Sequence, residues 1–318
     1  MPGFATHYLF GLTTHRELNT SPMRTCIAKH PHAYALGLQG PDIFFYYPPS
    51  HIRASGNLGS LAHKNRTGIF LRNLLKSRNL FPCSPEQNIA SSYIAGFLGH
   101  YILDTACHPY IYAKSHYGTF ERDYFSHHIY LEVDIDAELL AYYKDCAPSE
   151  FHPEDTIRLS RRERYVITSL LHYAYSQTYP EYYFVRLSID AAIRSMYFGV
   201  ILLRDPYGQK KAFVRKIEAK TVGYAGISPL IPSDFYTFTV DPLNLRHFCW
   251  RNPWDITQQS HASFFELLDN ARTKYTSILT MTEQLFSVPP KTPVYRKRLR
   301  ALSTALGNKS YSSGLPLP

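Results

Sequence analysis

The residues most able to do chemistry are His100, Asp104 and His108 in the run His100-Tyr-Ile-Leu-Asp104-Thr-Ala-Cys-His108. On an α-helix, positions four apart differ by about 40° around the axis, so the three share one face. Eight residues at about 1.5 Å each separate the outer Cα atoms by roughly 12 Å. Metal bonds to nitrogen or oxygen are about 2 Å long, so one ion is not held by both end histidines. Two ions fit better, with Asp104 between them and able to bridge. A second i, i+4 pair follows in His128-Ile-Tyr-Leu-Glu132. His108, His128 and Glu132 together offer two nitrogens and a carboxylate with a position left for water, the composition of a catalytic zinc site. His127 lies about 100° away from that face and is read as a packing or supporting residue.

Three further residues carry less signal alone. Asp42, in Gly-Pro-Asp-Ile-Phe, can equally cap a turn. His63, in Leu-Ala-His-Lys, can equally be an exposed residue at a helix start, and His7 sits in an N-terminal helical run. His15, His30, His32, His51 and His116 lack matching partners and are expected at the solvent-facing surface.

These residues need helices to position them, and helical periodicity dominates the chain. Helices are expected over roughly 4–20, 22–37, 60–77, 86–111, 124–143, 160–178, 181–203, 211–220 and 262–286. Ser84-Pro85-Glu86-Gln87 reads as the start of the helix carrying His100, with Ser84 as cap, Pro85 at the first helical position and Gln87 available to close a capping box, and Pro109 is expected to end or kink it near His108. Alternation typical of strands is confined to Phe235–Val240. The fold class is all-α, a single multi-helix domain over 1–288 with the metal ligands inside 1–132. Residues 289–318, with Lys291, Arg296, Lys297, Arg298 and Arg300, read as a basic, flexible tail. No internal repeat is present.

The 318 residues are 45% hydrophobic and 19% charged, enough to bury a large core. Much of the content of 26 tyrosines can be core with a wet hydroxyl, so it carries no functional weight. A formal net charge of +9 favours anionic partners such as phosphate esters, anionic membranes or nucleic acid. Cys26, Cys83, Cys107, Cys146 and Cys249 are scattered and form no CxxC pair, which argues against a disulfide framework or a thiolate zinc site. No signal-peptide pattern opens the sequence and no apolar run reaches spanning length, so a reduced, cytoplasmic protein is expected, able to meet the inner membrane leaflet.

Taken in order, Pro-Gly-Phe-Ala-Thr-His7, Gly-Pro-Asp42-Ile-Phe, Leu-Ala-His63, Gly-His100-Tyr-Ile-Leu-Asp104-Thr-Ala-Cys-His108-Pro and His128-Ile-Tyr-Leu-Glu132 resemble the bacterial zinc-dependent phospholipase C family. That family is related to the catalytic domain of glycosylphosphatidylinositol-specific phospholipase D and, more remotely, to the S1/P1 nucleases. The matching motifs span about residues 1–140. Asp241-Pro-Leu-Asn-Leu-Arg-His247 and Trp250-Arg-Asn-Pro-Trp254 are similar to an uncharacterised cytoplasmic branch.

The resemblance implies an all-helical fold and two or three zinc ions. It places Asp42, His63, His100 and Asp104 around one ion, and His108, His128 and Glu132 around a second. Asp104 would bridge to a third ion held by His7. Secreted members complete that third site with a mature N-terminal Trp. Position 1 here is Met, which leaves the third site short of ligands. The implied reaction is hydrolysis of phosphodiesters by metal-activated water, with Asp42 as general base, and phospholipid head groups as the leading substrate. The loop from Tyr46 to Gly59 would rim the pocket, with Arg53 and Lys64 steering anionic substrate. Cleavage of nucleic acid or another phosphodiester, and a non-catalytic, metal-stabilised binding role, are the two competing readings. The basic tail offers a contact to anionic membrane.

Overall fold

The computed structural model describes residues 3–51, 57–115, 124–183, 185–234 and 239–318. Its axis is α6, Ser84–Lys114, which carries an almost unbroken buried run from Ile89 to Ile111. A helix that is apolar on nearly every side is stable only when other elements wrap it. Around it stand α1 (Phe4–Glu17), α2 (Pro22–Lys29), α3 (Pro31–Leu38), α7 (Tyr124–Lys144), α9 (Arg161–Thr178) and α12 (Phe264–Phe286). α4 (Leu58–Lys64) and α5 (Thr67–Ser77) cover one side, with the one-turn α8 (Pro153–Thr156), α10 (Arg186–Leu203) and α11 (Gln209–Thr221) further out. The architecture is all-α, and among the described residues the only sheet is a two-stranded hairpin.

Local chemistry explains many of the boundaries. Ser160 and Ser263 each accept from the backbone N–H three residues on, while Glu163 and Glu266 return the bond to the cap. Each such cap contributes about 1 kcal/mol. α3 presses unusually close to α6 because Gly37 meets Gly96. A Cβ on Gly96 would lie 2.2 Å from the Tyr34 carbonyl oxygen. This approach brings the C-terminal end of α3 against His100.

Several expectations need correction. The run 22–37 is two helices, broken where Pro31 starts the second, and 60–77 divides into α4 and α5. Ser84 is the first helical residue rather than the cap, and Gln87 donates to the Phe81 carbonyl instead of closing a capping box. Pro109 neither ends nor breaks α6. The bond it removes would have gone to the Thr105 carbonyl. The C-terminal turn packs at that carbonyl, where a Cβ on Gly314 would lie 2.5 Å from the Thr105 oxygen. The hairpin β1 (Trp250–Asn252) and β2 (Asp255–Ser260) pairs Trp250 with Ser260 and Arg251 with Gln259, in a stretch too polar to show alternation. Most of Phe235–Val240 lies outside the described residues.

Residues 289–318 are not a flexible tail. Pro293–Leu306 forms α13, whose Tyr295, Leu299, Leu302 and Leu306 make a buried stripe while Arg296 and Arg300 face out. Beyond it the chain stays pinned. Asn308 accepts from Gly68 N–H at 3.0 Å, Asn252 donates to the Ser313 carbonyl at 2.9 Å, and Tyr311 is wholly buried. Several core tyrosines bond to chain carbonyls rather than to water. Tyr275 donates to the Ala95 carbonyl at 2.7 Å, Tyr179 to Asn65 at 2.7 Å and Tyr101 to Leu306 at 3.1 Å. Asn65 and Leu306 stand at helix C-termini, where the carbonyls have no helical N–H to accept from.

Candidate metal centre

Five elements deliver eight side chains to one place. His7 comes from α1, whose first turn is capped from a distance by Asp136 of α7. The Asp136 carboxylate accepts from Ala5 N–H at 3.0 Å, Thr6 N–H at 2.7 Å and the Thr6 hydroxyl at 2.6 Å. Asp42 sits in the 3-10 turn Gly40–Phe44. Gly40 enters that turn at φ +52°, so close to the site that a Cβ there would lie 2.3 Å from the His100 ring. His63 ends α4, which Asn57 caps through the Gly59 N–H at 2.7 Å. α6 supplies His100, Asp104 and His108, and α7 supplies His128 and Glu132 one turn before Asp136.

Asp104 is the centre of the arrangement. Its Oδ1 lies 3.1 Å from His7 Nε2, and its Oδ2 lies 3.2 Å from His100 Nε2 and 3.5 Å from His63 Nε2. Asp42 Oδ1 is 3.3 Å from His63 Nε2. On the far side, His108 Nε2 is 3.7 Å and His128 Nε2 2.8 Å from Glu132 Oε1. Three donor groups gather within 4.8 Å: His7 with Asp42 and His100, His63 with His100 and Asp104, and His108 with His128 and Glu132. All eight residues are buried. His7 therefore comes together with Asp42 and His100 as well as with Asp104, a richer set than the bridge from Asp104 that the sequence suggested.

The fit of this site to metal is testable on its unsatisfied atoms. Among the described residues, both nitrogens of His7, Nε2 of His100 and of His108, Oδ1 of Asp42 and both oxygens of Asp104 are buried without a hydrogen-bond partner. Buried polar atoms are normally paired, and several orphans aimed at one another mark a place for an ion. The donors are imidazole nitrogens and carboxylate oxygens, a set suited to zinc.

The histidine tautomers follow from their outer bonds. A carbonyl can only accept, so each ring nitrogen facing one must carry the proton. His100 Nδ1 donates to the Leu38 carbonyl at 3.1 Å, His63 Nδ1 to Gly59 at 2.7 Å and His108 Nδ1 to Tyr311 at 2.9 Å. In all three Nε2 is the nitrogen left facing the centre, the arrangement that orients a ligating histidine.

The electrostatics point the same way. Burial holds the imidazole of His100 below its usual range, despite Asp104, and does the same to His128 despite Glu132. Burial opposes ionisation of Asp104, yet the charges of His100 and His108 hold its carboxyl well below the carboxylate range. Glu132 is likewise lowered against burial, chiefly by His128. Burial also disfavours charge on His63, but the bonds and charges of Asp104 and Asp42 outweigh it and push the ring up to about 9. An arriving ion would have to displace that proton.

The centre opens into a cavity of about 560 Å³. Phe45, Tyr46, Ile129, Leu203 and Leu230 make its apolar wall, while His63, His108, His128 and Glu132 line the reactive end. Lys64 is exposed at its edge. Arg53 lies outside the described residues, as does His116. His127, expected to pack or support, is exposed. His15, His30 and His32 are partly buried, bonded to the Arg24 carbonyl, Glu163 and the Thr156 carbonyl.

Sequence reasoning missed Asp136 and Tyr311. Tyr311 orients His108 through its carbonyl, donates its N–H to the His63 carbonyl at 3.3 Å, and lays its ring 4.6 Å from that of His63. Backbone carbonyls and remote caps leave no residue-type pattern to find.

Among curated proteins and among solved structures, no significant match is found. A comparison with protein families matches residues 6–185, which include all eight converging side chains, to the zinc-dependent phospholipase C family. On that match over more than half its length, and with three buried donor groups compatible with two or three metal ions, the chain belongs to the zinc-dependent phospholipase C family.

Proposed function

We propose that this chain hydrolyses phosphodiesters, with phospholipids as its substrates. Cleavage would be of the phospholipase C type: water attacks phosphorus, the bond from phosphorus to the glycerol oxygen breaks, and that oxygen leaves with a proton as diacylglycerol. The observation that carries the reading is the pairing of donor groups on both sides of Asp104 with an apolar-walled cavity. Asp42, His63, His100 and Asp104 would hold one ion, and His108, His128 and Glu132 the second. His7, with Asp104, would contribute to a third. Zinc bound there supplies Lewis acidity toward phosphate oxygens and lowers the pKa of water.

The chain's own residues position the reaction. Burial raises the cost of charge on Asp42, but His100 and His63 hold its carboxyl below the usual range. A carboxylate held that low is a weak base, so its work is to orient the attacking water and accept its proton as phosphorus is attacked. The exposed ammonium of Lys64 favours anionic substrate at the edge of the cavity. Ile129, Leu203 and Leu230 offer aliphatic surface for the glycerol and acyl portion of a lipid, beside the aromatic faces of Phe45, Tyr46 and Tyr112.

The test is to incubate the zinc-loaded chain with phosphatidylcholine in mixed micelles and, separately, with single-stranded DNA. Release of diacylglycerol that a chelator abolishes is expected. DNA cleavage without diacylglycerol release would replace this reading with a nuclease, and zinc binding without turnover of either would indicate a binding role.

A further inference from the structure

α11 is built inside out. An outer helix normally turns its apolar stripe inward. Here Lys211 and Glu218 are the buried residues, while Phe213, 64% exposed, and Ile217, 45% exposed, face out. The inward polar pair has a structural task. Glu218 accepts from the N–H groups of Gly226, Ile227 and Ser228 and from the Ser228 hydroxyl, and Lys211 donates to the Ile231 carbonyl at 2.9 Å. These bonds fasten α11 to the turn Ser228–Leu230, but they do not explain why the opposite face is apolar.

The neighbouring surface continues the pattern. At the end of α10, Phe198 and Leu202 are 64% and 70% exposed, and Tyr207 in the following loop is 79% exposed. The next residue of α10, Leu203, lines the catalytic cavity together with Leu230, itself partly exposed. The apolar surface thus runs from the cavity wall outward over α10 and α11.

Its charge has one sign. On α11, Lys216 and Lys220 lie beside Phe213 on the outer face, flanked by Lys210 and Arg215, all exposed. From Phe198 to Pro232 the acidic residues are Asp205 and Glu218, and both are buried and occupied by backbone N–H groups. Exposed aromatics and aliphatics interleaved with lysines, with no exposed carboxylate, match the acyl boundary and anionic head groups of a bilayer.

We propose that the outer faces of α10 and α11, with the turn Ser228–Leu230, form the surface by which this chain lies on an anionic phospholipid bilayer. The proposal rests on the phospholipid reading of the site, because it puts the cavity wall at Leu203 and Leu230 beside the lipid that would enter. It moves membrane contact away from the C-terminal basic residues, of which Arg296, Lys297, Arg298 and Arg300 lie on α13.

The test is flotation of the zinc-loaded full chain with vesicles of phosphatidylcholine alone and of phosphatidylcholine with phosphatidylserine. The variants are Phe213→Ser/Ile217→Ser, Lys216→Gln/Lys220→Gln and, on α13, Arg296→Gln/Lys297→Gln. Wild type is expected to float with the phosphatidylserine vesicles, less so in high salt. Both α11 double variants should bind about ten-fold or more weakly, with the α13 variant unchanged. Hydrolysis of soluble bis-p-nitrophenyl phosphate should be the same in all four proteins. Binding unaffected by the α11 variants, binding lost only in the α13 variant, or no binding by wild type overturns the proposal. So does a wild-type dimer that either α11 variant turns into a monomer, which would assign the surface to a second copy. Vesicle binding that depends on α11 in a protein without any phosphodiesterase activity would uphold the surface and reject the catalytic reading.

Discussion

The Nδ1–H of His108 donates to the backbone carbonyl of Tyr311 at 2.9 Å, across 203 positions of sequence. The bond fixes which nitrogen of His108 faces the centre, so the last turn of the chain is part of the metal site. The same residue buries its ring against His63 and Tyr101. Its hydroxyl is buried without a hydrogen-bond partner among the described residues.

The two halves of Tyr311 should separate by mutation. Tyr311→Phe removes only the unpaired hydroxyl and should change stability by less than about 1 kcal/mol, with zinc content unaltered. Tyr311→Ala empties a buried ring site and should cost about 3–5 kcal/mol, lowering zinc retention with it. Thermal melts and metal analysis check both. Equal effects of the two substitutions would contradict the packing role.

Asp136 acts on His7 through helix α1. With Asp136→Ala, the Ala5 and Thr6 N–H groups lose their acceptor and the helix N-terminus loses a favourable charge, a cost of about 1–2 kcal/mol. Metal bound through His7 should be retained less well on dialysis, while Asp136→Asn, which keeps one acceptor, should fall between. Unchanged stoichiometry in Asp136→Ala would show that α1 holds His7 without the cap.

Lys211 gives the stability of the protein a pH signature. Burial lowers its ammonium to about 8, against the pull of Asp134 and Asp205, while the unfolded chain keeps the ordinary lysine value of 10.5. Between those values the unfolded state binds more protons, so this group makes stability rise with pH across that window. Below about 8 the cost of the buried charge is fully present. Denaturant midpoints from pH 7.5 to 10.5 should show this upward contribution in wild type and not in Lys211→Met. Parallel curves would show that the buried ammonium is not strained.

The sequence displayed the heart of the site because its geometry is local. His100, Asp104 and His108 repeat at four, and so do His128 and Glu132, and helices turn that spacing into shared faces. Asp42, His63 and His7 sit on separate elements, so only their order within a family motif linked them. Tyr311 and Asp136 act through a carbonyl and a remote cap, which tertiary packing alone creates. The C-terminal helix was hidden differently. The density of arginine from Arg296 to Arg300 dominated the reading, although Tyr295, Leu299, Leu302 and Leu306 keep a helical period beneath it. Pro109 misled for a related reason: a helix buried on nearly every side tolerates one lost bond when another segment packs against the freed carbonyl.

The most direct test of the whole account is metal content per chain, measured on wild type and Asp104→Asn together with hydrolysis of bis-p-nitrophenyl phosphate. Asp104 faces His7 through one oxygen and His63 and His100 through the other, so its loss should remove more than one ion's worth of binding. Two or three zinc ions in wild type, fewer in Asp104→Asn, and hydrolysis lost with them is the result expected. One ion or none in wild type, or full hydrolysis by the variant, would contradict a multinuclear centre built on Asp104.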